Sequence, residues 1–170
     1  VNLNGKSLAN TLSLGGSGVA NSGVIYNLES TASSLGGAIT LTDHSVFQSG
    51  QGGGLSFAST ISGPYNLTVS GAATSFSQTI PFLNTGILTL GASAADVFSF
   101  THGVSVTAPS AIRLAGSFSS PNVALSWGDS DTALTLFANT TLNSGTAVTT
   151  LGGAVAGAYT LNVPSASVAI

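Results

Sequence analysis

Large apolar residues alternate with small polar ones in short runs along the whole chain. Examples are Leu12-Ser13-Leu14, Ile39-Thr40-Leu41, Leu55-Ser56-Phe57, Leu67-Thr68-Val69 and Leu88-Thr89-Leu90. The pattern continues in Phe98-Ser99-Phe100, Val104-Ser105-Val106, Val123-Ala124-Leu125, Leu134-Thr135-Leu136 and Leu161-Asn162-Val163. A period of two places alternate side chains on opposite faces of a strand. No window carries apolar residues at the spacing of a helix. Glycine-rich clusters separate the runs: Gly15-Gly16-Ser17-Gly18, Gly50 to Gly54, Ser62-Gly63-Pro64, Gly128-Asp129-Ser130-Asp131 and Gly152-Gly153. Strands recurring every 8–12 residues or so, with turn signals between them, lead to a sandwich, a barrel or a solenoid.

Internal repetition selects the solenoid. Ile61-Ser62-Gly63-Pro64-Tyr65-Asn66-Leu67-Thr68-Val69 matches Val155-Ala156-Gly157-Ala158-Tyr159-Thr160-Leu161-Asn162-Val163. Asn-Ser/Thr-Gly recurs at Asn21, Asn84 and Asn143, offsets that fit three coils of roughly 20 residues each. The expectation is an all-β parallel β-helix of about eight coils, one domain over residues 1–170. Each coil buries its inward residues, and Ser, Thr and Asn face outward.

Composition narrows the functions. Charged residues make up 4% of the 170, with only Lys6 and Arg113 positive and a net charge of −3. Nucleic acid is excluded as a partner, because phosphate neutralisation needs Lys and Arg. Disorder is excluded by 43% hydrophobic residues and low net charge. There is no Cys, so no disulfide framework or thiolate chemistry. No run approaches the roughly 18 apolar residues of a membrane-spanning helix. The first residues, Val1 to Lys6, do not read as a signal peptide. Without an initiator Met, the chain is expected to begin after processing or inside a longer protein. Twenty-seven Ser, 20 Thr and 22 Gly in so uncharged a chain suit an extracellular bacterial protein.

The segments Gly15 to Asn27 (GGSGVANSGVIYN), Gly36 to Phe47 (GGAITLTDHSVF) and Gly53 to Gly71 (GGLSFASTISGPYNLTVSG) resemble the passenger repeats of bacterial autotransporters and giant β-strand-repeat adhesins. The resemblance is clearest over Gly15 to Gly71 and returns at Gly152 to Val163. It implies a right-handed parallel β-helix at or beyond the cell surface, serving as a stalk, adhesin or fibre component. The family's Thr-Lys-x-Gly-x-Gly-Thr-Leu segment is missing after Val69, and the 170 residues hold no translocator barrel.

Reactive groups are sparse. Asp43-His44 with a serine would make a hydrolase triad, but no Gly-x-Ser-x-Gly elbow accompanies it, and a turn dipeptide accounts for it. Carboxylates are limited to Glu29, Asp43, Asp96, Asp129 and Asp131. Only Asp129 and Asp131 lie close together; they are the one calcium candidate and the one candidate pair for a glycosidase, against the simpler reading of a solvated turn. His44 and His102 make no metal signature, and Gly50 to Gly54 is no P-loop. Asn66-Leu67-Thr68 and Asn139-Thr140-Thr141 match glycosylation sequons and read equally as strand and turn residues. Trp127, Tyr26, Tyr65 and Tyr159 would form a carbohydrate platform, whereas Phe57, Phe76, Phe98 and Phe100 are expected to stack in the core. Ice binding would want ranks of Thr-x-Thr, and only Thr40-Leu41-Thr42 supplies one.

These observations favour a non-enzymatic structural or adhesive protein with no cofactor. Its partners are expected to be further copies of itself, or a host or cell surface. Strand-like, uncharged ends at Val1-Asn2-Leu3 and Leu161 to Ile170 lack the charges that block edge pairing. Val1, Leu3, Leu161, Val163, Val168 and Ile170 are therefore the expected head-to-tail interface. The alternatives are a carbohydrate-active or carbohydrate-binding β-helix and a small outer-membrane β-barrel.

Overall fold

The structure, a computed structural model, describes residues 1–50 and 53–170. The chain winds into a β-solenoid of about six turns, each laying strands on three faces. The first turn holds β1 (Leu12–Gly16), β2 (Ile25–Asn27) and β3 (Ser33–Leu35) on faces one, two and three. The second holds β4 (Ile39–Ser49), which bends from face one into face two, and β5 (Leu55–Phe57). The third holds β6 (Ile61–Gly63), β7 (Leu67–Gly71) and β8 (Thr74–Phe76), and the fourth β9 (Phe82–Asn84), β10 (Ile87–Leu90) and β11 (Val97–Phe100). In the fifth, β12 (Val104–Val106) is followed by β13 (Ala111–Ser119), and in the sixth β14 (Leu125–Trp127) by β15 (Ala133–Asn143); β13 and β15 each cover faces two and three. β16 (Val148–Leu151) then stacks over β14 on face one, and a thinner outermost turn follows: β17 (Val155–Ala156), β18 (Leu161–Asn162) and β19 (Ser167–Ala169). Before the first turn, the bridges Asn2↔Tyr26 and Leu8↔Leu35 form a partial rung.

Every strand pairing among the described residues is parallel. Parallel pairing from turn to turn excludes the sandwich and the outer-membrane barrel, both of which are antiparallel. The count of eight coils is corrected to about six: the coils are longer than 20 residues, and the segments before Leu12 and after Leu151 form only a partial rung and a thin turn. Most rungs are 21 to 24 residues apart, as in Ile39↔Ile61, Ile61↔Phe82 and Ile87↔Ala111. The first turn is wider, 27 residues from Leu12 to Ile39. Between the pairs Gly16↔Ser45 and Ile25↔Phe47 the chain leaves the sheet through the short 3-10 turn Val19–Asn21.

The two Tyr motifs sit at different corners. Ile61 to Val69 turns from face one to face two, and Val155 to Val163 from face two to face three. The same local sequence makes both bends because each needs a glycine at positive φ over the rung beneath. Gly63 (φ 122°) and Gly157 (φ 119°) would put a Cβ 2.5 and 2.6 Å from the carbonyl oxygens of Leu41 and Leu136. Their 94-residue separation is four turns plus one face. The Asn-Ser/Thr-Gly sites are likewise not equivalent: Asn84 points inward at the end of a face-one strand, while Asn143 ends a face-three strand and is exposed.

The core is a column of inward side chains. Phe57, Phe76 and Phe100 occupy one register position in successive turns. Their rings stack at 5.2 Å and 4.6 Å between centroids. Phe98 stacks on Phe118 at 4.8 Å, and Trp127 meets Phe100 and Phe118 edge-on. In-register parallel strands repeat at ~4.8 Å, close to the separation at which aromatic rings attract. The expected Phe stack is therefore present.

Candidate functional site

Each place where the sequence suggested chemistry was located in the fold. Asp43 and His44 lie at the bend of β4, exposed. The Asp43 carboxylate accepts the His44 backbone N–H (2.7 Å), not its ring. His44 Nδ1 accepts the backbone N–H of Asn66 one turn up (3.0 Å), and its ring meets Tyr65 edge-on at 5.9 Å. Ser45, the nearest serine in sequence, donates its hydroxyl to the Asp43 carbonyl. The three groups are engaged in holding a corner and are not aligned as a triad.

Asp129 and Asp131 share the exposed turn between β14 and β15. The Thr132 hydroxyl donates to Asp129 Oδ1 (2.6 Å). That bond, with a hydrogen bond from Asp131, holds the Asp129 carboxyl below the usual aspartate range. Asp131 is pushed up, first by its hydrogen bond to Asp129 and then by the charge of that neighbour. The pair braces a solvent-exposed turn. Among the described residues no cluster of three or more His, Asp or Glu gathers to hold a metal ion. Asp96 is buried in the bend before β11, accepting from the Gly71 and Ala92 backbone N–H groups (3.1 and 2.8 Å) and the Ser93 hydroxyl (3.0 Å). Glu29 is exposed on the loop after β2.

Trp127 is wholly buried, so it joins the core and cannot form a carbohydrate platform with Tyr26, Tyr65 and Tyr159. Both sequon asparagines brace the next turn: Asn66 Oδ1 accepts from Ile87 N–H (2.9 Å) and Asn139 Oδ1 from Thr160 N–H (3.1 Å). Asn122 does the same for Thr146 (2.9 Å). Sequence reading missed these side-chain-to-next-turn bonds. Their signal is a polar acceptor at a corner, legible only once the coil length is known. Of the glycine run at 50–54, positions 51 and 52 lie outside the described residues.

Face three carries an outward column with one serine per rung: Ser34, Ser56, Ser75, Ser99 and Ser119, then Asn143, all in register. A shallow depression of about 180 Å³ lies beside it, lined by Gly54, Ala73, Thr74, Ser75, Val97 and Ser99. On face two, Arg113 lies 5.0 Å over the ring of Phe137.

The outermost turn is the place where the fold leaves groups unspent. Leu134 is 1% exposed, and its partner in the next rung, Val155, is 39% exposed. Thr149 is wholly buried, and its partner Val168 is 43% exposed. Ile170, beyond β19, is 98% exposed. Leu161 and Val163 pack partly against the core. At the other end Val1 is exposed, but Leu3 is 4% exposed and buried within the first turn. The terminal residues expected at an interface thus divide between the two ends of the coil, and Leu3 offers backbone there and not side chain.

The outermost turn is pinned by hydroxyls. Ser165 Oγ lies 2.9 Å from Ser144 Oγ and 2.8 Å from Thr149 Oγ1, and accepts the Ser144 backbone N–H (2.9 Å). No helix among the described residues is long and apolar enough to cross a membrane. Comparison with family models, curated proteins and solved structures finds no match for the chain.

Proposed function

We propose that this chain is a non-enzymatic structural or adhesive protein, secreted to the cell surface or beyond. On this reading it is a rigid β-solenoid building block of an extracellular fibre, surface layer or adhesin stalk, with units joined head to tail. One observation carries the reading: the in-register aromatic column from Phe57 through Phe76 to Phe100, with Trp127 packed edge-on against its end. Stacked rungs sharing one continuous core make a solenoid stiff along its axis, as a stalk or fibre requires. The resemblance of Gly15 to Gly71 to autotransporter passengers supports the same reading. So does an outer surface of small uncharged side chains, which packs closely without charge repulsion.

Negative-stain electron microscopy across a concentration range, with light scattering alongside, tests it. Rods or regular fibres are expected. A strictly monomeric particle that binds or turns over a glycan would overturn it.

A further inference from the structure

The inward columns that run buried through successive turns end in half-exposed apolar side chains at Val155 and Val168. Their backbone is unspent too. The Leu134 N–H donates to the Ala154 carbonyl, and the Thr140 N–H to the Thr160 carbonyl. Backbone groups alternate in direction along a strand, so the N–H and C=O of Val155 and of Leu161 point off the end of the coil. Such an edge is completed by a parallel strand.

The opposite end offers the matching edge. Tyr26 N–H donates to the Val1 carbonyl and Leu3 N–H to the Tyr26 carbonyl, which leaves the N–H and C=O of Asn2 facing away from the coil. The faces also match. Asn2 makes its bridge on face two, where β17 lies, and β1 lies on face one, where β19 lies. A second copy placed there sets each edge over the same face. The contact is the coil-on-coil stacking already repeated at every turn inside the molecule.

We propose that the turn carrying β17, β18 and β19 docks the first turn of a second copy of this chain as its next rung. In this register Leu12 of the second copy lies over Val168, and its Leu14 over Ile170. This deepens the structural reading above and rests on it. The contact joins two different surfaces and does not close on itself, so it propagates along the coil axis.

Cysteine pairs read the register, because the chain has no Cys of its own. Stacked rungs at ~4.8 Å lie within disulfide reach. The double variant Leu12→Cys/Val168→Cys, oxidised at assembling concentration, is expected to give a ladder of covalent multimers. The yield should be at least ~10-fold that of Ser13→Cys/Val168→Cys, in which Ser13 faces outward. Val168→Lys, at a position already half exposed, keeps the fold by circular dichroism and raises the concentration needed for association by ~10-fold or more, equivalent to ~1.4 kcal/mol. Equal cross-linking in the two Cys pairs would overturn the proposal, as would association indifferent to Val168→Lys. Lateral fibres that survive Val168→Lys, or stiff monomeric rods in small-angle scattering, would sink the end-docking while leaving the structural reading standing. A compact glycan-processing monomer would sink both.

Discussion

The rings of Phe76 and Phe100, one turn apart in register, lie 4.6 Å apart with their planes 7° from parallel. This pair sits at the middle of the column that holds the turns together. Phe76→Ala or Phe100→Ala removes a wholly buried ring and is expected to destabilise by ~3–5 kcal/mol. Phe137→Ala, at an exposed ring, should cost far less. Urea unfolding of the three variants checks the ranking.

Gly63→Ala should be poorly tolerated. The position has φ 122°, and a Cβ would lie 2.5 Å from the Leu41 carbonyl oxygen. A loss of ~1–3 kcal/mol is expected from the backbone conformation alone, with the steric contact adding to it. Ser62→Ala next to it should be near neutral, and thermal melts of the pair give the comparison.

The corner bond from Asn66 N–H to His44 Nδ1 requires the imidazole to carry its proton on Nε2 when neutral. Long-range ¹⁵N correlation spectra should show that tautomer. Removing either corner acceptor, by His44→Ala or Asn66→Ala, is expected to cost ~0.5–1.5 kcal/mol, and amide exchange should accelerate at Asn66 or Ile87 respectively.

Carboxyl titration of the Asp129–Asp131 turn should proceed in two steps, one on each side of the ordinary aspartate value. Asp129 is lowered, so its contribution to stability is present above its unfolded pKa and lost as pH falls through its folded pKa. Asp131 is raised, so its contribution is present at low pH and lost as pH rises through its folded pKa. The two oppose each other, and little net acid sensitivity is expected from the turn. Thr132→Val should move the Asp129 titration upward, visible by ¹³C NMR of the side-chain carboxyls.

Ser165→Ala removes the hydroxyl that ties Ser144 and Thr149 to the outermost turn. Amide protection should fall across residues 155–169 and stay unchanged around the Phe76–Phe100 stack, because each rung of a solenoid contacts only its neighbours.

Most strands, their apolar inward positions, and the burial of Phe57, Phe76, Phe98 and Phe100 were legible from alternation alone, since period two assigns a residue's side regardless of its partner; that Phe98 stacks on Phe118 and not on the other three, and that Ser33, Ser49, Thr74 and Asn84 point inward, was not. Parallel stacking was legible from the repeated motifs. Coil length was not: the excursion before Ile25 and the interchangeable corners stretch and shift the spacing, so motif offsets mislead. The candidate site was half legible. Uncharged strand-like segments at both ends could be read directly, but the burial of Leu3 and the exposure of Val155 could not.

By itself, then, the sequence determined the all-β class, the sidedness of most of the alternating runs and the absence of the charge needed for nucleic acid, because these depend on local period and composition. Only the tertiary structure decided which residues meet across turns. It placed Trp127 inside instead of on a platform, turned His44 and Asn66 into corner braces, and left the inward columns open at Val155 and Val168. Contacts between rungs depend on the number of residues in each turn, and a change of one residue in that number would hand every partner to a different neighbour.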